Sequence, residues 1–449
     1  MGRRSSPQRL ILWLNGIPVG HWDVAARQNC LTYFDEWMED EQGRPISLSL
    51  PFTPHNEPYR GDLVQNFFDN LLPDSETIRR RMATLFRTEG TSPHQLLAAV
   101  GRDCVGALQL LPPDEQPSDL FSIAGEPLNE HHVAATLRNI VSDQPLGHRD
   151  ETMDLRLSIA GAQEKTALLW RAGQWHRPLG STPTTHILKL PMGRVGAMRA
   201  DMRTSIENEW LCTQIIREFG IPIAHCEMAR FDEMKALVVE RFDRRLAEDG
   251  TWIVRLPQED FCQATGTSPL HKYQADGGPG ISTLMQTLLG SEQAKADRIN
   301  FFKTQIIFWL IAATDGHAKN FSIFHLPRSQ FRATPLYDVL SAHPILGTGP
   351  NQLAPHRAKL AMAVRGAQNH YHLHQIRGHH WIEHAKSTGL GALAAETIIA
   401  DVLNRADDVV AVVSSRIPEA FPMDLADAIL GGLLEQCERL RKTQAGRSH

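Results

Sequence analysis

The stretch Ala313–Ser322 constrains the fold more than any other part of this chain. It follows an apolar run that predicts a buried helix, and it places Asp315 five positions before Asn320. In the catalytic loops of kinases, an Asp that orients or accepts a hydroxyl proton stands five residues before an Asn that binds a metal. Asp338 follows where a kinase has its other metal ligand, and Lys189 precedes both in an apolar strand. This order predicts phosphoryl transfer from ATP.

Composition narrows the class of protein. The 449 residues suffice for two to four domains, and the net charge of −5 argues against a general nucleic-acid binder, so any DNA contact should be local or supplied by a partner. The six cysteines form no C-x-x-C pair and suggest reduced thiols. No apolar run approaches the roughly 20 residues that span a bilayer, and Leu10–Leu14 is too short for a signal-peptide core. We therefore expect a cytoplasmic protein without a membrane partner.

Strand-like patterns dominate the first half of the chain and helical patterns the second. A hairpin is predicted at Arg9–Trp22, because Asn15-Gly16 favours a tight turn. Further predicted strands are Cys30–Phe34, Ile46–Leu50, Gly106–Leu111, Ile223–Phe231 and Ala236–Phe242. Predicted helices are Leu63–Leu72, one capped by Asp74-Ser75, Pro93–Val100, Leu128–Val141 and Ser205–Phe219. From Asp260 onward the pattern is helical, with loops at Ala275–Gly280 and His325–Pro350.

This distribution predicts an α+β protein with a two-lobed, protein-kinase-like fold and an extra N-terminal β-rich subdomain. The small lobe would carry a nucleotide loop and a hinge, and the larger α-helical lobe would carry the catalytic loop. The predicted boundaries are 1–112 for the β-rich subdomain, 113–257 for the small lobe and 258–449 for the helical lobe.

Three stretches of the small lobe are candidates for nucleotide binding. The small residues of Ala160–Ala162 would let backbone N–H groups approach a polyphosphate, although Glu164 before Lys165 rules out a Walker A loop. Lys189 must direct its ammonium group at an anion or at water, and could pair with Glu209 or, failing that, Glu207. The strand end at Glu240–Phe242 could form a hinge that binds adenine through backbone groups. Taken singly, the first stretch could equally be a tight turn between strands, and Lys189 could be an edge-strand lysine that faces solvent. For Glu240–Phe242 alone, an ordinary strand end with a surface ion pair is the better interpretation.

The catalytic loop supplies the remaining candidates. Asp315 would be the base, and Asn320 and Asp338 would hold Mg²⁺ through oxygen ligands. His317 and Lys319 would lie beside the phosphates. The signature departs from that of ordinary protein kinases, because Val339-Leu340 replaces Phe-Gly after Asp338, and Ala313-Thr314 replaces His-Arg before Asp315.

Two features admit other interpretations. The turn Asp276–Gly280 could be a flexible activation-type loop or simply lead into a helix at Ile281. A group of histidines could bind zinc, and with Asp315 and His317 it would suggest a metal hydrolase, but a solvated loop is the better interpretation because no Cys or carboxylate joins it at a suitable spacing. These histidines are His370, His372, His374, His379, His380 and His384.

Several long motifs resemble those of the HipA family of bacterial toxin kinases over nearly the whole chain. They are Phe67–Ser75, Ser158–Leu169, Thr184–Pro191, Val239–Arg245, Arg255–Asp260, Asp276–Ile281, Thr314–Ser322 and Lys359–Met362. The resemblance implies a serine/threonine-protein kinase of a type II toxin–antitoxin system. It implies that the toxin phosphorylates glutamyl-tRNA synthetase and causes growth arrest and persistence. It also implies a HipB-like helix-turn-helix antitoxin dimer, with which the toxin acts as co-repressor on operator DNA.

The resemblance also assigns roles to residues by their motifs. It makes Asp315 the catalytic base, Asn320 and Asp338 the metal ligands, and Ser158 the site of inactivating autophosphorylation. The implied ATP-binding residues are Ala160, Gly161, Ala162, Gln163, Glu164, Lys165, Lys189, Glu240, Arg241, Phe242, His317, Ala318, Lys319, Asn320, Tyr337 and Asp338. The expected cofactors are ATP and Mg²⁺.

One departure concerns DNA. The segment Gly366–Gln375, where the family carries a lysine-rich patch that contacts DNA, contains three histidines and no lysine. Operator binding is therefore expected mainly through the antitoxin. The alternative function is a non-catalytic, nucleotide-binding co-repressor that acts with a helix-turn-helix antitoxin.

Overall fold

The structure is a computed structural model that describes residues 8–26, 28–141, 163–196 and 198–445. Helices and strands alternate without a repeating βαβ pattern, so the fold is α+β, as predicted. The chain divides into two compact units. The first unit comprises Met1–Leu190, Ala229–Leu270 and Ile323–Phe331; the second comprises Pro191–Met228, His271–Ser322 and Arg332–His449. The division at 1–112, 113–257 and 258–449 stays a prediction.

Strands and helices are numbered in chain order within the described residues. The strands are β1 (Gln8–Leu14), β2 (Ile17–Ala25), β3 (Gln28–Tyr33), β4 (Tyr59–Arg60), β5 (Leu108–Leu111), β6 (Gly125–Leu128), β7 (Lys165–Arg171), β8 (Gln174–Pro178), β9 (His186–Lys189), β10 (Gly193–Val195), β11 (Ala200–Met202), β12 (Cys226–Phe231), β13 (Met234–Glu240), β14 (Arg244–Leu246), β15 (Ile253–Arg255), β16 (Gln258–Asp260), β17 (Ser322–His325), β18 (Phe331–Ala333), β19 (Lys359–Arg365) and β20 (Asn369–His372). The helices are α1 (Asp35–Glu39), α2 (Asp62–Asp69), α3 (Glu76–Leu85), α4 (Pro93–Val100), α5 (Glu130–Val141), α6 (Ser205–Glu218), α7 (Phe261–Ala264), α8 (Ile281–Thr287), α9 (Ala294–Leu310), α10 (Gly378–Ser387), α11 (Ala392–Ser415) and α12 (Met423–Ala445).

The first unit begins with a five-stranded sheet in the order β4-β3-β2-β1-β5. The predicted hairpin forms because Asn15 and Gly16 both adopt positive φ, 47° and 87°, as a tight two-residue hairpin turn requires. Alternate residues of β1 point inward, and Trp22 of β2 stacks on Phe68 of α2 with ring centroids 3.9 Å apart. The predicted cap of α3 is Ser75, whose hydroxyl accepts the Ile78 N–H.

The strand predicted at Ile46–Leu50 is wrong. Its backbone groups bond to side chains and to nearby residues instead of to a neighbouring strand. The Leu48 N–H donates to the Glu259 carboxylate at 2.8 Å, and the Leu50 N–H donates to the Ser47 carbonyl at 3.2 Å. The apolar alternation that suggested a strand comes from a turn that buries Ile46 and Leu50. Local periodicity cannot separate these two cases over five residues.

A six-stranded sheet in the order β12-β13-β9-β7-β8-β6 carries the candidate nucleotide-binding residues of the first unit. Helix α5 packs on it through Val133 and Leu137, which share a core with Leu168, Leu188 and others. Strands β7 and β8 are joined by a tight turn, where Ala172 and Gly173 both have positive φ. The central strands β7 and β9 thus have one covered face and fixed register, which determines where their lysines lie.

In the second unit, helix α9 leads into the candidate catalytic loop. Its side chains from Phe301 to Leu310 are nearly all buried, which explains the apolar run in the sequence. The helix ends in a Schellman motif, in which the Ala313 N–H donates to the Phe308 carbonyl at 2.7 Å and the Ala312 N–H to the Trp309 carbonyl at 3.4 Å. Ala312 takes the left-handed conformation (φ 50°) that this motif needs. The chain therefore turns sharply into the loop at a defined point.

The pattern of helices and loops predicted from Asp260 onward is also wrong where β17–β20 interrupt it. These strands are three to seven residues long, and such short apolar runs acquire their conformation from their partners. The β17–β18 turn is closed by the Leu326 N–H, which donates to the Gln330 carbonyl at 2.8 Å. Over the described part of the chain, none of the helices combines the length and the apolar character needed to cross a membrane.

Candidate active site

The catalytic-loop sequence folds into a tight structure that is bonded to itself. The His317 N–H donates to the Asp315 carbonyl at 2.8 Å, and the Asn320 N–H donates to the His317 carbonyl at 2.9 Å. At Gly316, a Cβ atom would lie 2.5 Å from the ring of Phe308 on α9, so a larger residue would displace that ring. Glycine at this position lets the loop lie directly against the helix that precedes it.

The Asn320 side chain ties the two predicted metal-binding segments together. Its Nδ2 donates to the Asp315 carbonyl at 2.9 Å and to the Asp338 carbonyl at 3.4 Å. Because both bonds use the amide nitrogen, they orient the amide and leave Oδ1 as its ligand atom. An amide oxygen and the Asp338 carboxylate are hard oxygen donors, which suit a Mg²⁺ ion that keeps most of its waters. The donor set therefore fits the predicted cofactor.

Asp338 has a strained backbone, with φ at 61°. Asp adopts this left-handed conformation more readily than most residues, but at a cost that the surrounding structure must offset. The neighbouring segment is held in place, because the Leu336 N–H donates to the Pro222 carbonyl at 2.9 Å and the Ala342 N–H donates to the Ala312 carbonyl at 2.9 Å. Strain of this kind concentrates at functional sites.

The Asp315 carboxylate faces solvent, and 61% of its side chain is exposed. The Tyr273 hydroxyl donates a short hydrogen bond to its Oδ1, and His317 Nε2 lies 3.9 Å from the same oxygen. The Tyr273 and His317 rings meet edge to face with centroids 5.1 Å apart. Sequence reasoning did not identify Tyr273, whose only signal was its place just before the Asp276–Gly280 turn.

Tyr337 braces the same loop. Its hydroxyl donates to the Lys319 carbonyl at 2.8 Å and accepts the Ser322 hydroxyl. The Lys319 side chain is buried, and so are His317 and Asn320. The second unit thus brings together the predicted Asp315, His317–Asn320, Tyr337 and Asp338.

In the first unit, two predicted phosphate-binding lysines face each other. Lys165 of β7 pairs directly with Lys189 of β9 in the antiparallel register, so both side chains lie on one face of the sheet. Lys189 is only 6% exposed. The binding of ATP phosphates by this pair of lysines stays a prediction.

The residues that precede Lys165 are anchored to the strand that ends in Lys189. Gln163 Nε2 donates to the Leu190 carbonyl at 2.6 Å, and the Leu190 N–H donates to the Glu164 carbonyl at 3.0 Å. The Glu164 carboxylate accepts from Arg81 of α3 at 2.6 Å. Glu164 is therefore engaged in an ion pair within the first unit. Ser158, Ala160, Gly161 and Ala162 lie outside the described residues.

The predicted hinge follows β13, and its middle residue is held by buried charges. The Arg241 N–H donates to the Thr185 carbonyl at 2.9 Å, and its guanidinium group bonds Asp243 at 2.8 Å and Thr184 at 2.8 Å. Phe242 packs edge to face on Phe324 with centroids 5.8 Å apart. The side chain of Arg241 is thus committed to the protein interior, so the predicted adenine contacts at Glu240–Phe242 would have to use other groups of the segment.

Lys189 lies in the first unit, and its predicted partners Glu209 and Glu207 lie on α6 in the second. All three side chains are buried. The pairing of Lys189 with either carboxylate stays a prediction.

The histidine-rich segment is not the solvated loop that the sequence suggested. It forms β20, a short turn and α10, and His380 and His384 are buried. His370 and His380 stack with centroids 3.8 Å apart. Among the described residues, no three His, Cys, Asp or Glu side chains form a group that could hold a metal ion. Within those residues, the metal-hydrolase interpretation finds no such set of ligands.

His384 makes stability depend on pH. Its Nδ1 accepts the Arg365 N–H at 3.1 Å, so its Nε2 carries the proton and donates to Ser282 at 2.9 Å. Burial, with a smaller contribution from Arg365, lowers the pKa of His384 to about 4. Between about pH 6.5, the histidine pKa of the unfolded chain, and about pH 4, this side chain is protonated in the unfolded chain but not in the folded one. Stability is therefore lost as pH falls from about 6.5 to about 4.

We expect His384 to contribute about 3 kcal/mol to that loss. Urea unfolding of wild type and His384→Gln, followed by the fluorescence of buried tryptophans, should show a shallower pH dependence in the variant. The exposed His225→Gln serves as the control and should keep the wild-type slope. Equal slopes in all three proteins would contradict the assignment.

Comparison with known proteins places this chain in a family. Residues 10–111 match the model of the HipA N-terminal domain, and residues 157–410 match that of the HipA-like C-terminal domain. A protein of Sinorhizobium fredii named as kinase Y4mE is 31% identical over 90% of this chain and 91% of its own length. The serine/threonine-protein kinase toxin HipA of Shewanella oneidensis is 26% identical over 74% of this chain and 75% of its own length.

The fold agrees with these matches. A solved structure of the Shewanella oneidensis HipA, HipB and operator DNA complex contains a chain that superposes with a TM-score of 0.79, at 21% identity, covering 97% of this chain and 98% of that one. The site and the fold thus define a protein of the kinase-like α+β class. The chain belongs to the HipA family.

Proposed function

We propose that this chain is an ATP- and Mg²⁺-dependent serine/threonine-protein kinase that acts as the toxin of a type II toxin–antitoxin system. The observation that carries the proposal is the Asn320 amide, which bonds the carbonyls of both Asp315 and Asp338. That arrangement sets an exposed carboxylate beside two oxygen ligands for a metal, as phosphoryl transfer requires. Relatives named as kinases support the same activity.

In this proposal the second unit performs the chemistry. The Asp315 carboxylate accepts the proton of a serine or threonine hydroxyl while that oxygen attacks the γ-phosphorus of ATP. The bond from the γ-phosphorus to the bridging oxygen breaks, and ADP leaves with the electron pair. Asp338 and Asn320 Oδ1 would hold Mg²⁺, which would neutralise phosphate charge. Lys319 would contribute positive charge, and His317 a hydrogen bond, beside the phosphates.

Further residues are proposed to contact the nucleotide. Lys165 and Lys189 bind the phosphates as an opposed pair, together with the backbone of Ala160–Ala162. The segment Glu240–Phe242 binds adenine. Replacing Lys189 with Met would leave Lys165 as the only cation of the opposed pair, so the affinity for ATP should fall.

The protein substrate proposed is glutamyl-tRNA synthetase in the cytoplasm, phosphorylated on serine or threonine so that translation stalls and growth stops. Phosphoproteomics after brief induction tests this, with cells that express Asp315→Gln for comparison. A new phosphoserine or phosphothreonine in glutamyl-tRNA synthetase is expected only with wild type. A phosphosite in another translation component would keep the kinase and change the target. The absence of any new phosphosite at growth-arresting levels would contradict the kinase.

Autophosphorylation at Ser158 is the proposed off-switch. A phosphate there would add about −1.5 to −2 charges next to the residues that bind ATP phosphates, so nucleotide binding should weaken. We expect Ser158→Ala to lose the self-phosphorylated peptide in mass spectrometry and to hold its initial rate for longer. Ser122→Ala, which removes an exposed loop serine, is the control. If the rate of Ser158→Ala declined over time as fast as that of wild type, the proposed switch would be refuted.

A HipB-like helix-turn-helix dimer is the proposed antitoxin, supported by the complex that the structural relative forms with HipB and operator DNA. Because Gly366–Gln375 has no lysine, the antitoxin should provide most of the DNA affinity. Mobility-shift assays with and without the toxin, at several salt concentrations, measure its share through the salt dependence. The non-catalytic co-repressor is the alternative function, and it requires operator binding but no phosphotransfer.

A further inference from the structure

Within the described part of the chain, the Asp315 carboxylate receives its polar contacts on one oxygen. Over the described residues, its hydrogen bond from Tyr273 and its approach to His317 Nε2 both fall on Oδ1. Oδ2 remains the oxygen at which a substrate hydroxyl can be bound. A side chain that is 61% exposed would otherwise sample several rotamers, so a contact that selects one of them bears directly on its use as a base.

Tyr273 is itself rigidly placed. Its carbonyl accepts the N–H groups of Asp276 and Gly278, each at 3.0 Å. A Cβ atom at Gly278 would lie 2.0 Å from the His271 carbonyl, and Gly277 has φ at 92°, so this turn depends on its glycines. The turn leads into α8, in agreement with one of the two predictions for Asp276–Gly280. Its hydrogen bonds and its glycine-dependent backbone therefore differ from those expected of a flexible activation-type loop.

Gln274, the residue after Tyr273, connects this turn to strand β19. Gln274 Oε1 accepts the Ala363 N–H of β19 at 2.7 Å. The Tyr273 ring lies at 86° to the His317 ring, and the Lys272 ammonium lies 5.6 Å from the Tyr273 centroid. The backbone, the ring and the hydroxyl of Tyr273 thus all make contacts within the second unit.

We infer that Tyr273 is a positioning residue for Asp315, holding its carboxylate by Oδ1 so that Oδ2 meets the substrate hydroxyl. The inference rests on the proposed kinase function. A blocking role, in which the phenol occupies the place of the substrate, is disfavoured because Asp315 stays largely exposed and because the turn that carries Tyr273 is anchored. Positioning also explains why a tyrosine, with a rigid ring and one donor, serves here.

The test is Tyr273→Phe, which removes only the donor and keeps the ring packing on His317. We expect kcat to fall about tenfold, the rate equivalent of one hydrogen bond, with the KM for ATP within about twofold of wild type. Tyr59→Phe is the matched control, since it deletes a hydroxyl that donates to the Pro51 carbonyl at 2.7 Å in the N-terminal sheet.

Rates are expressed per nucleotide-binding site, measured by titration, so that a loss of folded protein does not imitate a loss of kcat. A lower kcat per site, with the KM for ATP within about twofold of wild type, supports the inference. An unchanged kcat, a raised kcat, or a KM for ATP that changes as much as kcat does overturns it. If wild type transfers no phosphate, the proposed function itself fails. If wild type is active and Asp315→Gln is not, while Tyr273→Phe behaves as wild type, only the role of Tyr273 is lost.

Discussion

Asp315→Gln is expected to lower phosphotransfer by about a thousandfold while nucleotide binding is retained. Gln removes the proton-accepting carboxylate but leaves a polar side chain at a position where 61% of the native one faces solvent, so the fold should tolerate it. Asn is a poorer choice, because an Asn before Gly316 deamidates readily and would restore Asp. Transfer of labelled γ-phosphate from ATP to protein, beside fluorescence titration with an ATP analogue, measures the two quantities.

The control is Asp408→Gln, which removes an exposed carboxylate on α11. This variant should transfer phosphate as wild type does. This experiment also separates the two functions under consideration. A kinase loses activity in Asp315→Gln alone, whereas a non-catalytic co-repressor has no transfer to lose and keeps operator binding in every variant. Activity above a tenth of wild type in Asp315→Gln would mean that another group takes the proton.

The sequence predicted best those features that depend on neighbouring residues. The Asn15-Gly16 turn, the Ser75 cap and the stop of α6 just before Gly220 each follow from a few adjacent side chains, and the structure has all three. The five-residue spacing of Asp315 and Asn320 likewise specifies a short loop, and the Asn320 amide bonds the Asp315 carbonyl. In such cases the residue types determine the backbone geometry directly.

The features that sequence reasoning missed depend on contacts between distant parts of the chain. Tyr273 reaches Asp315 across 42 positions, and Asp103 reaches Arg241 across 138. Neither pair leaves a periodic or compositional trace. The strands β17–β20 were missed for a related reason, because runs of three to seven residues become strands only beside the partners that the fold gives them. Ile46–Leu50 shows the converse, an alternating run that finds no partner strand.

A cluster of buried charges in the first unit carries the second large prediction. Asp103 Oδ1 accepts from Arg244 at 2.9 Å and lies 3.5 Å from Arg255, while its Oδ2 lies 3.4 Å from Arg241. Thr184 donates to the same Oδ2 through its N–H at 3.0 Å and its hydroxyl at 2.7 Å. Burial would raise the pKa of Asp103, but the three guanidinium groups outweigh it and hold that pKa far below its usual range. Asp103 is therefore ionised at neutral pH and compensates the arginines.

Asp103→Asn should lower the free energy of unfolding by about 3–5 kcal/mol, because it keeps the shape and leaves buried arginine charge uncompensated. Urea unfolding followed by tryptophan fluorescence measures the loss. Glu233→Gln, which breaks the surface pair with Arg138, is the control and should unfold as wild type does.

The double variant Asp103→Asn/Arg244→Gln distinguishes charge compensation from simple packing. Removing a charge together with its partner costs less than removing the partner alone, so the double variant should be more stable than the sum of the two single changes predicts. Strict additivity would mean that Asp243, whose Oδ2 lies 3.0 Å from Arg244 Nη1, compensates Arg244 without Asp103. Since Arg241 belongs both to this cluster and to the predicted hinge, a weaker cluster should also raise the KM for ATP at temperatures where Asp103→Asn remains folded. An unchanged KM in the folded variant would separate the hinge from the charges that anchor it.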